Sequence, residues 1–337
     1  MMTLAKIAKE IGVGKSTVSL VLNGRAKEMR ISDNTVRRVR DYCEKMNYLP
    51  NIHARRMCQD VVKSIMVFLN VHNAFLSESS FADYNVNLIM GGITEVADAA
   101  GFSTIIRLYR TDMNEQLIFN SFRNHDIDGM VYYGMSMPPH WLAILKREKR
   151  RVVGIGIEPG EIPCVNIDNY KISRSLTRLL LEKKRRKFFY LAGTDESYPG
   201  RERYRGFLDE LKEAGIPFNE DKNCYQCQFQ EDLAGEAVRK ILAASMRPDA
   251  IMCANDKMAL GAIRALREAG FSVPNEVSVA GGDNIELAAY VTPGLTTFEN
   301  QAARQGAEAC RLLLDMINGN KRPDQLISSQ LVMRESV

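Results

Sequence analysis

Leu4-Ala5-Lys6-Ile7-Ala8-Lys9-Glu10-Ile11-Gly12-Val13-Gly14-Lys15-Ser16-Thr17-Val18-Ser19-Leu20-Val21-Leu22-Asn23-Gly24 places two short apolar-striped segments on either side of a glycine-centred break. Leu4, Ile7, Ala8 and Ile11 recur at helical spacing behind Thr3, a good helix cap, and Gly12-Val13-Gly14 ends the run. A second helix is predicted from Lys15 to Asn23, burying Val18, Val21 and Leu22 and leaving Lys15, Ser16, Ser19 and Leu20 for the other face. Ser32 then caps a third helix through about Met46, whose Val36, Val39, Tyr42, Cys43 and Met46 close a small three-helix core. So tight a crossing of two helices is the geometry of a helix-turn-helix: the second helix enters a major groove about 12 Å wide while the first spans the backbone.

Charge supports that reading. Residues 1–60 hold twelve Lys and Arg against six Asp and Glu, a net +6; the whole chain carries +4, so the remainder sums to −2 and the basic surplus lies in the head. Its natural partner is the phosphate backbone of double-stranded DNA.

At 337 residues and 45% hydrophobic content the chain is long enough for more than one domain. No apolar run approaches the eighteen or more residues of a membrane span, and the N-terminus carries a capping pattern in place of a signal peptide, which predicts a cytoplasmic protein. Seven scattered cysteines fit a reducing compartment. Cys224 and Cys227 alone have metal-like spacing, and without a second pair they read as structural thiols; no metal and no cofactor is expected.

Beyond residue 61 short apolar runs alternate with helical patterns. Strands are predicted near 64–71, 103–109, 127–133, 151–157, 187–192, 248–253 and 277–281, with helices near 86–100, 115–124, 170–183, 201–214, 231–245, 256–269 and 300–318. Such alternation predicts parallel sheets covered by helices on both faces, and the length calls for two doubly wound units.

Leu4-Ala5-Lys6-Ile7-Ala8, Gly12-Val13, Ser16-Thr17-Val18-Ser19, Leu22-Asn23-Gly24, Ile31-Ser32, Asn47-Tyr48, Pro50-Asn51 and Ala54-Arg55 together resemble the headpiece of the lactose/galactose repressor (LacI/GalR) family. The resemblance implies an all-α helix-turn-helix headpiece at 1–49 and a hinge helix at 50–61. It further implies a two-lobed periplasmic-binding-protein-like α/β core: 62–163 with 294–322 as the lobe nearer DNA, and 164–293 with 323–337 as the distal lobe. Lys15 and Ser16 are the candidates for base edges, and Thr17, Ser19, Asn23, Arg25 and Arg55 for backbone or groove-edge contacts, with Thr3 and Ala54 completing the DNA-facing set. Met57 stands at the family's hinge-leucine position, where an apolar wedge unstacks a base step at a cost of a few kcal/mol. Gly14 and Leu20 depart from the serine and arginine common in the recognition helix, so no operator sequence carries over.

Four further stretches carry the resemblance into the core: Val165-Asn166-Ile167-Asp168-Asn169, Arg203-Tyr204-Arg205-Gly206-Phe207, Cys253-Ala254-Asn255-Asp256, and Val277-Ser278-Val279-Ala280-Gly281-Gly282-Asp283-Asn284. By it Asp168, Arg203, Asn255 and Asp283 hold a small effector in the interlobe cleft. Arg offers a planar fork of donors, Asp offers acceptors and Asn offers both, which suits neighbouring hydroxyls of a sugar; Phe75 and Phe229 are candidate stacking faces. Asn73-Ala74-Phe75-Leu76 departs from the usual Asn-Pro-Phe-Phe, an insertion follows around 77–87, and Lys183-Lys184-Arg185-Arg186-Lys187 reads as a solvated loop.

Enzyme signals fail. Gly14-Lys15-Ser16 lacks the first glycine of a phosphate-binding loop, Gly154-Ile155-Gly156 lacks the third-glycine spacing, and His53, His72, His125 and His140 show neither metal spacing nor a nucleophile partner. The sequence therefore predicts a non-enzymatic, ligand-responsive repressor that binds a pseudo-palindromic operator as a homodimer or a pair of dimers. The competing reading, a solute-binding or carbohydrate-active protein with the same two lobes, leaves the headpiece unexplained.

Overall fold

The computed structural model describes residues 3–22, 24–48, 61–70, 83–110, 113–160 and 162–337. Asn23, the hinge residues Ala54, Arg55 and Met57, and Phe75 lie outside them. The chain divides into two compact units, one of residues 1–62 with 123–126 and one of residues 63–122 and 127–337.

In the smaller unit α1 (Leu4–Ile11) starts at Thr3, whose hydroxyl accepts a hydrogen bond from the Lys6 N–H at 3.3 Å, and stops at Gly12, where φ of +72° is open to glycine at little cost. Then come α2 (Lys15–Leu22) and α3 (Asp33–Lys45), the latter capped by Ser32 through the Thr35 N–H. Ile7, Ile11, Val18, Val21, Val39 and Cys43 are buried together between the three helices. Met46, expected in this core, is 42% exposed, because α3 ends at Lys45 and Met46 is its cap, turned off the apolar stripe.

The larger unit runs β1 (Ser64–Asn70), α4 (Tyr84–Ala99), β2 (Ser103–Leu108), α5 (Gln116–Arg123), β3 (Gly129–Gly134), α6 (Pro139–Arg147), β4 (Val152–Ile155) and β5 (Cys164–Ile167). It continues with α7 (Asn169–Glu182), β6 (Phe188–Ala192), α8 (Tyr198–Glu213), α9 (Glu220–Asn223), β7 (Cys224–Gln226), α10 (Glu231–Ala243), β8 (Ala250–Cys253), α11 (Asp256–Glu268) and β9 (Ser278–Ala280). It closes with α12 (Leu287–Tyr290), β10 (Thr297–Phe298), α13 (Ala302–Ile317), β11 (Gln325–Ile327) and β12 (Leu331–Val332). One sheet has the order β11-β5-β4-β3-β1-β2 and the other β7-β6-β8-β9, with every pairing parallel, while β10 and β12 pair antiparallel. Covered on both faces, β1 is buried at all seven positions, which is why its sequence is a continuous apolar run and not an alternation.

Two expected boundaries move. β5 pairs with β4 through Gly154 opposite Cys164, and β11 pairs with β5 through Gln325 opposite Val165, so 164–167 and 325–327 belong to the first lobe, not the distal one. The polar Asn166 hid β5; it is buried there because its side-chain oxygen accepts from the Gly156 N–H at 3.0 Å and its amide donates to the Ile157 carbonyl at 2.9 Å. α6, absent from the predicted helices, begins directly at Pro139. Proline at the first turn lacks only an N–H that has no helical partner, so α6 starts there and buries Trp141 against Phe68 and Phe119, with ring centroids 5.2 and 5.8 Å away. The last residues of the predicted insertion, 83–87, form the cap and first turn of α4. The basic run after α7 is a loop in which Arg185 is tied to the Ser278 hydroxyl at 2.9 Å.

α4 and α13 touch backbone to backbone. A Cβ on Gly306 would lie 2.2 Å from the Ile89 carbonyl oxygen, and one on Gly92 would lie 2.0 Å from that of Ala303. Gly306→Ala must push the two helices apart and is expected to cost about 1–3 kcal/mol, the usual penalty of overpacking. A urea midpoint equal to that of wild type would refute this account of the helix pair.

Candidate functional site

The two candidate sites are built differently. In the smaller unit Lys15 and Ser16 are exposed on the first turn of α2, while Thr17 and Ser19 are half-buried beside Val18. Arg25 is exposed and paired with Glu28 at 2.8 Å, and the Thr3 hydroxyl is committed to its helix cap. The exposed helix turn therefore offers one cation and one hydroxyl at its tip, a pair able to reach base edges.

In the larger unit the residues just past the carboxyl ends of several strands in both sheets converge on a cavity of about 130 Å³. Asn70, Gly134 and Gly156 come from the first sheet and Phe229, Asn255 and Asp283 from the second. Parallel α/β sheets bind small molecules at these strand ends. Arg203 reaches the cavity from α8. Gly206 lets that helix approach α7, since a Cβ there would lie 2.3 Å from the Tyr170 carbonyl oxygen, so the R-x-x-G spacing is a packing requirement as well as a chemical one.

Arg203 is 5% exposed. Its Nε donates to Asn169 Oδ1 at 2.8 Å, its Nη1 to the Ala254 carbonyl at 2.6 Å and its Nη2 to Asp283 Oδ1 at 3.3 Å, with the guanidinium 4.8 Å from the Phe298 ring centroid. Asn255 caps α11 through the Met258 N–H and offers its amide to the Phe229 carbonyl at 3.5 Å. Phe229 holds a left-handed backbone, φ +60°, and its ring fills the space that a side chain on Gly193 would need. Burial pushes the Asp283 carboxyl up to about 7, with Asp256 and Asp83 adding to the rise and Arg203 and Asn85 opposing it. Burial likewise lifts Asp256 to about 6 against the hydrogen bonds of Thr297 and the Ile285 N–H.

The cavity thus brings together Arg203, Phe229, Asn255 and Asp283. Asp168 does not line it: its carboxylate accepts from the Lys171 N–H at 2.9 Å as the cap of α7, and the next residue, Asn169, faces the cavity in its place. Asp83, Asn85, Tyr133, Ser197, Asn300 and Gln305 are lining residues that the sequence reading missed. Two of them, Asp83 and Asn85, lie in the supposed insertion. Position at the carboxyl end of β1 would have flagged Asn70, whereas Ser197 reaches the cavity as the cap of α8.

The lobes also meet around the cavity. Lys257 on α11 pairs with Asp83 at 3.4 Å, Arg201 on α8 pairs with Glu158 at 3.0 Å, and Ser136 donates to the Glu196 carbonyl at 2.9 Å. Among the described residues no helix is long and apolar enough to cross a membrane.

Residues 3–51 match the family described as bacterial regulatory proteins, lacI family, and residues 177–337 match the periplasmic binding protein-like domain. The HTH-type transcriptional repressor PurR of Pectobacterium carotovorum subsp. carotovorum (strain PC1) is 31% identical over 345 residues, covering 100% of this chain and 97% of that one. The repressor of the same name from Yersinia pestis (strain Pestoides F) is 30% identical over 344 residues, with the same coverage. Among solved structures, a transcriptional regulator CelR-cellobiose complex matches with a TM-score of 0.75 at 26% identity over 100% of both chains. The lac repressor dimer bound to operator and the anti-inducer ONPF matches with a TM-score of 0.85 at 23% identity over 99% of this chain and 98% of that one.

Proposed function

Because the chain belongs to the lacI family of bacterial regulatory proteins, and is a DNA-binding transcriptional regulator with a ligand-binding core, we propose that a neutral sugar in the interlobe cavity controls its hold on a pseudo-palindromic operator, which it grips as a homodimer. One observation carries the choice of ligand. Among the described residues that line the cavity Arg203 is the sole cation, and its Nε, Nη1 and Nη2 each donate to a protein acceptor, whereas carboxamides line much of the remaining polar wall. A phosphorylated or carboxylated effector would meet Asp83 and Asp283 with no spare cation to answer it. Polyols need closely spaced donors and acceptors of neutral charge, which Asn and Gln supply. The regulator bound to cellobiose and the repressor bound to ONPF support ligand control in chains of this fold.

The cleft is read as a sensor and not an active site because its two lining carboxyls are each tied to a cation, Asp83 to Lys257 and Asp283 to Arg203. Two headpieces follow from geometry, since one reads only half of a palindrome. A protein whose target is the chromosome works in the cytoplasm.

Thermal-shift titration of the full chain with D-glucose, D-galactose and cellobiose, and with the 6-phosphates of the two hexoses, tests the ligand class. A neutral sugar at 100 times its Kd adds about 2.7 kcal/mol to stability, while the phosphates are expected to add nothing. A response to the phosphates alone would overturn the reading. The pH dependence is equally specific. A carboxyl whose pKa is raised by folding contributes stability that is complete below its unfolded value near 4 and is lost as pH rises through the folded value. With Asp256 near 6 and Asp283 near 7, the ligand-free protein is expected to lose melting temperature between about pH 4 and pH 7 and to level off above that. A sugar hydroxyl donating to Asp283 favours the carboxylate, so the sugar-induced shift is expected to grow over the same interval.

A further inference from the structure

Asn85 lines the cavity from the first turn of α4 and is 9% exposed, yet no donor among the described residues reaches its side-chain oxygen. Its place is fixed twice. Asp83 caps α4 by accepting from the Asn85 N–H at 2.9 Å and the Val86 N–H at 3.1 Å, and the other oxygen of Asp83 is held across the cleft by Lys257 at 3.4 Å. The Asn85 side chain in turn hydrogen-bonds to Asp283, where it helps hold that carboxyl down. A side chain that lowers a carboxyl donates to it, so the Asn85 amide presents its N–H there and the carbonyl end is the one left without a donor among the described residues.

A buried acceptor without a donor costs free energy, and native proteins keep few of them; those they keep at binding sites are matched by the ligand. We propose that Asn85 is the residue with which the first lobe reads the effector, its side-chain oxygen accepting a hydrogen bond from one ligand hydroxyl. The inference rests on the neutral-sugar reading above and adds to it a named contact and a direction for the proton. A donor is required because an amide oxygen only accepts; a neutral donor fits because the carboxyls of Asp83 and Asp283 each already have a cation, Lys257 and Arg203. Since Asn85 stands on α4 and Asp283 follows β9, a sugar held by both bridges the two lobes and favours the closed cleft.

The test is a thermodynamic cycle on the full chain. Binding of D-glucose, D-galactose and cellobiose is measured by calorimetry for wild type, Asn85→Leu and Asn85→Ser, then repeated with the monodeoxy derivatives of whichever sugar binds wild type. Wild type is expected to reject one monodeoxy derivative by ~10- to 100-fold, the effect of leaving one buried polar group unpaired. Asn85→Leu, nearly isosteric, is expected to bind the parent sugar as weakly as wild type binds that derivative, and to discriminate between the two no longer. Asn85→Ser, which keeps a shorter acceptor, supplies the same comparison should the leucine variant fail to fold. Undiminished affinity in the variants, or undiminished rejection of the same derivative, overturns the assignment of Asn85 while leaving the sugar reading intact. Tighter binding of D-glucosamine than of D-glucose by wild type overturns the neutral donor. Failure of wild type to bind any of the three sugars removes the ligand class first and the contact with it.

Discussion

Arg203→Met is expected to abolish the response to sugar and to destabilise the larger unit by about 3–5 kcal/mol, the cost of breaking a buried, hydrogen-bonded charge pair from one side. Three partners lose a donor at once: Asn169, the Ala254 carbonyl and Asp283. Part of the loss is blunted, because the Asp283 carboxyl sits near 7 even with Arg203 beside it and takes up a proton once the guanidinium is gone. Arg203→Lys keeps the charge but not the fork, and one ammonium cannot serve an acceptor on α7, a backbone carbonyl after β8 and a carboxylate after β9 together. It is therefore expected to fall between wild type and Arg203→Met in urea unfolding and to be as unresponsive to sugar as the latter. The headpiece core of Ile7, Val18, Val21 and Val39 does not involve Arg203, so operator affinity without sugar is expected to be retained. A sugar response in Arg203→Met equal to that of wild type would move the sensor elsewhere.

What the sequence discloses and what it conceals divide along the range of the interactions. The helix-turn-helix is written in local terms: Thr3 and Ser32 are caps, Gly12 is a left-handed stop, and the apolar stripes of α1 and α3 need no distant partner to be read. The long buried strands, β1 above all, are legible as continuous apolar runs. β5 and β11 are not, because each is short and contains a polar residue whose justification, such as the pairing of Asn166 with the turn after β4, lies in another element. The cavity shows the same limit at single-residue scale. Asp168 and Asn169 are neighbours, and only the pitch of α7 decides that the first caps the helix while the second meets Arg203. Asp83 and Asn85 are harder still: nothing in an interrupted polar stretch says that its last residues start a helix aimed at the opposite lobe.

Replacing Lys15 and Ser16 together by alanine is expected to lower operator affinity by about 2–4 kcal/mol, since each good base-edge contact contributes about 1–3 kcal/mol of discrimination. Both are exposed on the first turn of α2, while Val18 and Val21 on the opposite face anchor the helix in the core, so the double variant removes contacts without unfolding the unit that presents them. Alanine also has the best helix propensity, which preserves α2 itself. Affinity for random duplex depends on phosphate neutralisation and loses one cation out of many, so it is expected to fall little, and the slope of log affinity against log salt is expected to flatten by about 0.9. Fluorescence anisotropy on an operator duplex and a scrambled one, across a salt series, separates the two effects. Equal losses on both duplexes would show that α2 touches only backbone, and the sequence reader would then have to be sought on another face of the headpiece.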